Sequence, residues 1–155
     1  MELKLDSVTS TTGKRRGGRL DGETVERIVE AAEGALPEGE RLALRFVAVE
    51  GAEGLGELAR LEESLPGGDP GLIRGASAVV VVLARARPGG RGEPFPRVMG
   101  ALMGASAARG VDSRWTPRAG RAFACDAGRA LLAAWGLPSD GSLEGVGYCV
   151  LGGGE

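Results

Sequence analysis

The sequence predicts an α+β fold, a mixed β-sheet flanked by helices around one long central helix, and three observations carry that expectation. Three stretches read as strands: residues 41–50 (RLALRFVAVE), residues 77–83 (SAVVVVL) and Leu143–Leu151 (LEGVGYCVL). Segments with helical periodicity separate them. Their order follows neither a strict βαβ rhythm nor an internal repeat, which argues against a doubly wound parallel sheet. At 155 residues the chain suits a single domain over residues 1–155, since domains cluster at roughly 100–150 residues.

Taken in order, residues 1–6 (MELKLD) alternate apolar and charged side chains as a short edge strand does, and a polar loop ending in KRRGGR follows. Asp21 is placed to cap a helix over residues 22–34, whose Val25, Ile28, Val29 and Ala32 share one face at i, i+3, i+4, i+7 spacing. Pro37-Glu38-Gly39-Glu40 breaks that period before the alternating strand of residues 41–50. A second helix is expected over residues 53–65 with Leu58, Leu61 and Leu65 inward, stopped by PGGDPG. The Val-rich run of residues 77–83 reads as a central strand covered on both faces.

A polar Gly/Pro loop, RARPGGRGEPFP, then leads into the central helix over residues 96–109. There Gly100, Gly104 and Ala108 recur every fourth residue, flanked by Val98, Leu102 and Ala105. Such a stripe permits close approach of another backbone, either a neighbouring helix of the same subunit or the symmetry mate in a dimer. Gly110 turns the chain toward Trp115. Thr116 is placed to cap, and Pro117 to start, a further helix running with or without interruption to Trp135, and Gly136-Leu137-Pro138 ends it. Trp115 and Trp135 read as core residues.

Composition narrows function. The net charge is −2 with acids and bases interspersed, so no polybasic face points to nucleic acid and no basic amphipathic helix points to a membrane. The chain holds no His and only two cysteines, Cys125 and Cys149, which removes His-based triads and zinc sites and leaves two partly buried thiols as the reading. MELKLDSVTS lacks the basic-then-apolar pattern of a signal peptide, so a cytoplasmic location is expected. Neither GxGxxG before a helix nor GxxxxGK[ST] occurs, and the carboxylates Asp112, Asp126 and Glu144 are scattered, so neither a phosphate loop nor an acid/base pair is assigned. Arg15, Arg16 and Arg19 form the most chemically suggestive group. Guanidinium forks on a Gly-rich loop suit a phosphate anion, and the same residues also read as a solvated basic loop.

Four patches fall in a telling order: Arg15-Arg16-Gly17-Gly18-Arg19-Leu20 ahead of a helix with Ala31-Ala32; Pro37 before Phe46-Val47-Ala48-Val49; GALMGASAARGVDSRW; and LLAAWGLPSDGSLEGVGYCVLG. Together they resemble the nitroreductase-like family of FMN-dependent oxidoreductases along most of the chain. The first patch is similar to the family's Arg-Arg-Ser-x-Arg-Phe signature, and the second stands where Pro-Ser-x-x-Asn-x-Gln-Pro-Trp runs into a strand. The third resembles the long central helix and its Gly-Leu-Gly-Ser-x-Trp exit, and the fourth the C-terminal Leu-Gly-Leu-Pro and final strand.

The resemblance implies a nitroreductase-like α+β fold, a homodimer with FMN at its interface, hydride from NADH or NADPH, and a small aromatic or quinone-like acceptor. It makes Arg15, Arg16 and Arg19 candidate phosphate ligands and sets Ser113, with the backbone of the Gly110 turn, beside the flavin ring. The dimer is expected through the Gly100/Gly104/Ala108 helix. Gly17 replaces the motif Ser, and Glu38, Arg41 and Ala43 stand where Ser, Asn and Gln would approach the flavin. The family's C-terminal basic pair is expected to be missing beyond Glu155. These departures define a second expectation, a flavin-free member of the same fold acting as a binding or assembly subunit.

Overall fold

A computed structural model of the chain describes residues 22–86 and 96–152. The expected strand over residues 1–6, the Asp21 cap and most of the loop ahead of the central helix lie outside the described residues.

Helix α1 (Gly22–Gly34) buries Val25, Ile28, Val29 and Ala32, the face its spacing predicts. Its water side carries the Glu23–Arg27 pair at 2.8 Å. Residues 38–43 correct the sequence expectation, because α2 (Glu38–Ala43) is a short helix and strand β1 (Leu44–Glu50) starts only at Leu44. Pro37 holds the extended conformation of an N-cap at φ −62°, and Glu38 and Glu40 in the first turn suit the positive end of a helix. α2 buries none of its residues, and Leu42, which made the stretch look alternating, is exposed.

Gly51, at φ +84°, turns the chain directly from β1 into α3 (Gly51–Glu63), a conformation that favours glycine. α3 buries Leu55, Leu58, Ala59, Leu61 and Glu62, while Leu65 falls beyond its end and is half-buried. Within the expected stop signal lies a further short helix, α4 (Pro70–Arg74), with Pro70 at its start and Asp69 Oδ1 accepting from Leu72 N–H at 3.2 Å. Strand β2 (Ala78–Arg85) follows, buried from Ala78 to Ala84.

The central helix α5 spans Pro96–Ala108. The expected helix from Thr116 is replaced by strand β3 (Ser113–Thr116) and two helices, α6 (Ala119–Ala122) and α7 (Asp126–Ala134). Thr116 is held in the sheet opposite Tyr148, so it cannot open a helix. Its hydroxyl still accepts from Arg118 N–H at 3.4 Å. The break between α6 and α7 buries Phe123 and lets α7 cross close to α6, where a side chain at Gly128 would run into the Ala122 carbonyl. α7 ends as predicted: Gly136 takes φ +80°, Leu137 N–H returns to Leu132 O and Gly136 N–H to Ala133 O, both at 2.9 Å. Strand β4 (Leu143–Leu151) closes the described chain.

The sheet order is β1-β2-β4-β3. Every pairing among the described strands is antiparallel, so within the expected α+β class the sheet is antiparallel rather than mixed. Val-rich β2 is central, as its continuous apolar run predicts. That run usually marks a parallel sheet; here it arises because helices cover both faces of an antiparallel one. On one face α1 and α5 enclose Phe46, Ala48, Val80, Val82, Cys149 and Leu151. The other packs Val47, Val49, Val79, Val81, Tyr148 and Val150 under α3, α4, α6 and α7. Fully burying each Val or Leu stabilises by about 1.5–3 kcal/mol, so β2 alone anchors both layers. Among the described residues no helix is long and apolar enough to cross a membrane.

Candidate functional site

The candidate site lies along the α5 side of the sheet. α5 turns Val98, Leu102 and Ser106 inward, and the Ser106 hydroxyl is satisfied by Leu102 O at 2.8 Å. Gly100, Gly104 and Ala108 are all exposed. A side chain built at Gly100 or Gly104 would meet nothing within 4 Å. Among the described residues, no close packing explains the stripe. No charged side chain occurs between Val98 and Ala108, and Met99 and Leu42 are the exposed large hydrophobics among the described residues.

Gly110, at φ +73°, ends α5 as predicted, with Val111 N–H bonding Ser106 O at 2.9 Å and Gly110 N–H bonding Ala107 O at 3.0 Å. Gly152 N–H pins the turn to the end of β4 by donating to Asp112 O at 2.8 Å. Ser113 follows in β3, half-buried and paired with Leu151, which places its side chain on the α1/α5 face. Two residues on, Trp115 lies on the same face over Gly147, where any side chain would collide with the indole. Both tryptophans are core-packed as expected, Trp115 on this face and Trp135 against Phe123 on the other at 5.8 Å between ring centroids. Arg15, Arg16 and Arg19, the expected phosphate ligands, lie outside the described residues.

At the other end of α5, Arg97 Nη1 donates to Glu40 Oε2 at 3.1 Å and ties α2 to the start of the helix. The second oxygen of that carboxylate, Glu40 Oε1, is buried without a hydrogen-bond partner among the described residues. A free buried acceptor is costly, by about 1–3 kcal/mol, and the group that would satisfy it is a donor.

Behind the sheet lies a polar cluster that sequence reasoning missed. The Glu62 carboxylate is 1% exposed and accepts from Arg118 Nε at 2.6 Å, Tyr148 OH at 3.0 Å and Asp69 N–H at 3.2 Å. Helical spacing does put residue 62 one turn beyond Leu58, on the buried face of α3. Its charge alone argued for water. Burial first, and the adjacent Glu62 charge second, push the Tyr148 hydroxyl far above its usual range.

Burial likewise pushes the Cys149 thiol up to about 12, so it stays protonated at neutral pH and is inert. Half-buried Cys125 donates to Ala122 O at 3.2 Å. Both cysteines are free thiols, and among the described residues no group of His, Cys, Asp and Glu is placed to hold a metal ion.

No family model matches the chain, and no curated protein matches it. Solved structures do. A nitroreductase with bound FMN from Bacteroides fragilis aligns with a TM-score of 0.73 at 18% identity, over 91% of this chain and 81% of that one. A second nitroreductase with bound FMN, from Desulfitobacterium hafniense, gives 0.68 at 19% identity over 91% and 82%. The FMN-dependent nitroreductase of Clostridium difficile gives 0.65 at 15% identity over 96% and 84%. At such identities the likeness is one of architecture, and it extends over nearly the whole chain: this protein has the nitroreductase-like fold.

Proposed function

We propose that the chain is an FMN-dependent oxidoreductase that takes hydride from NADH or NADPH and reduces a small aromatic or quinone-like acceptor. The observation that carries this reading is the fold it shares, over about nine-tenths of its length, with proteins crystallised with FMN. When bound, FMN supplies the electron transfer, and the protein binds, orients and shields it. Arg15, Arg16 and Arg19 are the phosphate ligands in this reading, and Ser113 and the Gly110 turn flank the ring. The donor set divides accordingly. The buried Glu40 Oε1 suits an N–H donor and disfavours a phosphate dianion near α2. Two free thiols, one of them half-buried, suit a reducing, cytoplasmic setting.

The same reading makes the chain a homodimer through α5. Each glycine within a helix costs roughly 1 kcal/mol relative to Ala, and neither Gly100 nor Gly104 makes room for anything among the described residues. Their small size serves an approaching backbone, and a stripe repeated every fourth residue matches its own two-fold copy.

A second reading is a flavin-free subunit of the same fold, used for binding or assembly. It is favoured by α2, where Glu38, Arg41 and Ala43 replace neutral hydrogen-bonding side chains on a helix with no buried residue.

The visible spectrum of the purified protein separates the two. A yellow protein, or one that takes up FMN with a rise in melting temperature, is expected. A colourless protein whose absorbance and melting temperature ignore added FMN would overturn the flavin reading. The flavin-free reading fails if the protein oxidises NADH or NADPH with a nitroaromatic or quinone at a rate that depends on Arg15 and Arg16.

A further inference from the structure

We draw no further inference here: the strongest candidate, the buried Glu62–Arg118–Tyr148 cluster behind the sheet, closes on partners within the chain, and nothing in the structure shows what would reach Arg118 Nη2, its buried donor without a partner among the described residues.

Discussion

The two faces of the sheet are built from the same Val-rich strands but finished differently. Behind the sheet, α3, α4, α6 and α7 close over the core, and the Glu62 carboxylate gathers donors from β4, from the turn after β3 and from the loop before α4. In front, α1 has a solvated outer side bearing Glu23, Glu26, Arg27 and Glu30, whereas its neighbour α5 shows Met99, Gly100, Gly104, Ala107 and Ala108 to the outside. A helix meant for water ordinarily carries charge on its outer face. Among the described residues the rear layer closes over the core, and the front layer leaves the outer side of α5 bare of charge.

The sharpest way to break this contrast is to open the rear. Removing one member of a buried ion pair leaves the other uncompensated, so Glu62→Ala should cost about 3 kcal/mol in urea denaturation, near the low end for such changes. The low end applies because the Arg118 side chain keeps 22% of its exposure. Replacing the pair together, as Glu62→Met with Arg118→Leu, removes the stranded guanidinium but leaves the Tyr148 hydroxyl without its acceptor, so it should recover part of that loss; a double loss equal to the sum of the losses of the two single variants would mean that the pair is not coupled. Next in size is the seat of Trp115. Gly147→Ala forces the indole off β4 and should cost about 1–3 kcal/mol by overpacking. The shift should appear in tryptophan fluorescence, while the rear cluster keeps its contacts.

The α5 stripe offers a test whose sign decides. If α5 faces water, Gly100→Ala and Gly104→Ala should each stabilise the chain by about 1 kcal/mol through helix propensity. If α5 faces a second copy at close range, the same changes should weaken association, and a chain carrying Gly104→Glu should elute as a monomer with its thermal stability as a monomer preserved. Sedimentation of the wild type and the three variants separates the outcomes, and a wild type that is monomeric at every concentration removes the dimer.

Periodicity made most of the fold legible because burial follows periodicity. The α1 face, the central place of β2, the bounds of β4 and the glycine terminations at Gly110 and Gly136 all follow from local pattern and backbone chemistry. Two kinds of feature were illegible for a physical reason. α2 and β3 are short, and their state is set by what they touch: Leu42 alternates in sequence but points to water, and Thr116 has capping chemistry but is held opposite Tyr148. Glu62 lies at a buried helical position, yet its donors come from residues 69, 118 and 148; only the folded chain brings them together. Of the candidate site, Ser113 follows the Gly110 turn at the start of β3, on the edge of the sheet. The direction in which the Gly100/Gly104 stripe faces could not be read from spacing, since both of its readings need the same residues.

The smallest effect compares the two faces at neighbouring residues of one strand. Tyr148 points to the rear and Cys149 to the front, and burial raises the titration of both. For Cys149 burial is the sole cause, whereas Tyr148 also feels the negative charge of Glu62. A thiol whose folded-state value is raised from 9.0 to about 12 keeps its proton in the fold while the unfolded chain loses its own. Its contribution to stability is therefore full below pH 9 and is lost as pH rises toward 12. The loss amounts to at most about 1.4 kcal/mol per pH unit within that window. Between pH 8 and pH 10 the wild type should lose about 1 kcal/mol more than Cys149→Ala, a substitution that lowers stability at both pH values but removes this titration. Because Tyr148 is raised as well, Tyr148→Phe should flatten the remaining slope only at higher pH, where an unfolded phenol begins to ionise. Equal slopes for wild type and Cys149→Ala in urea denaturation at the two pH values would mean that water reaches the front of β4, and that the face beneath α5 is not sealed.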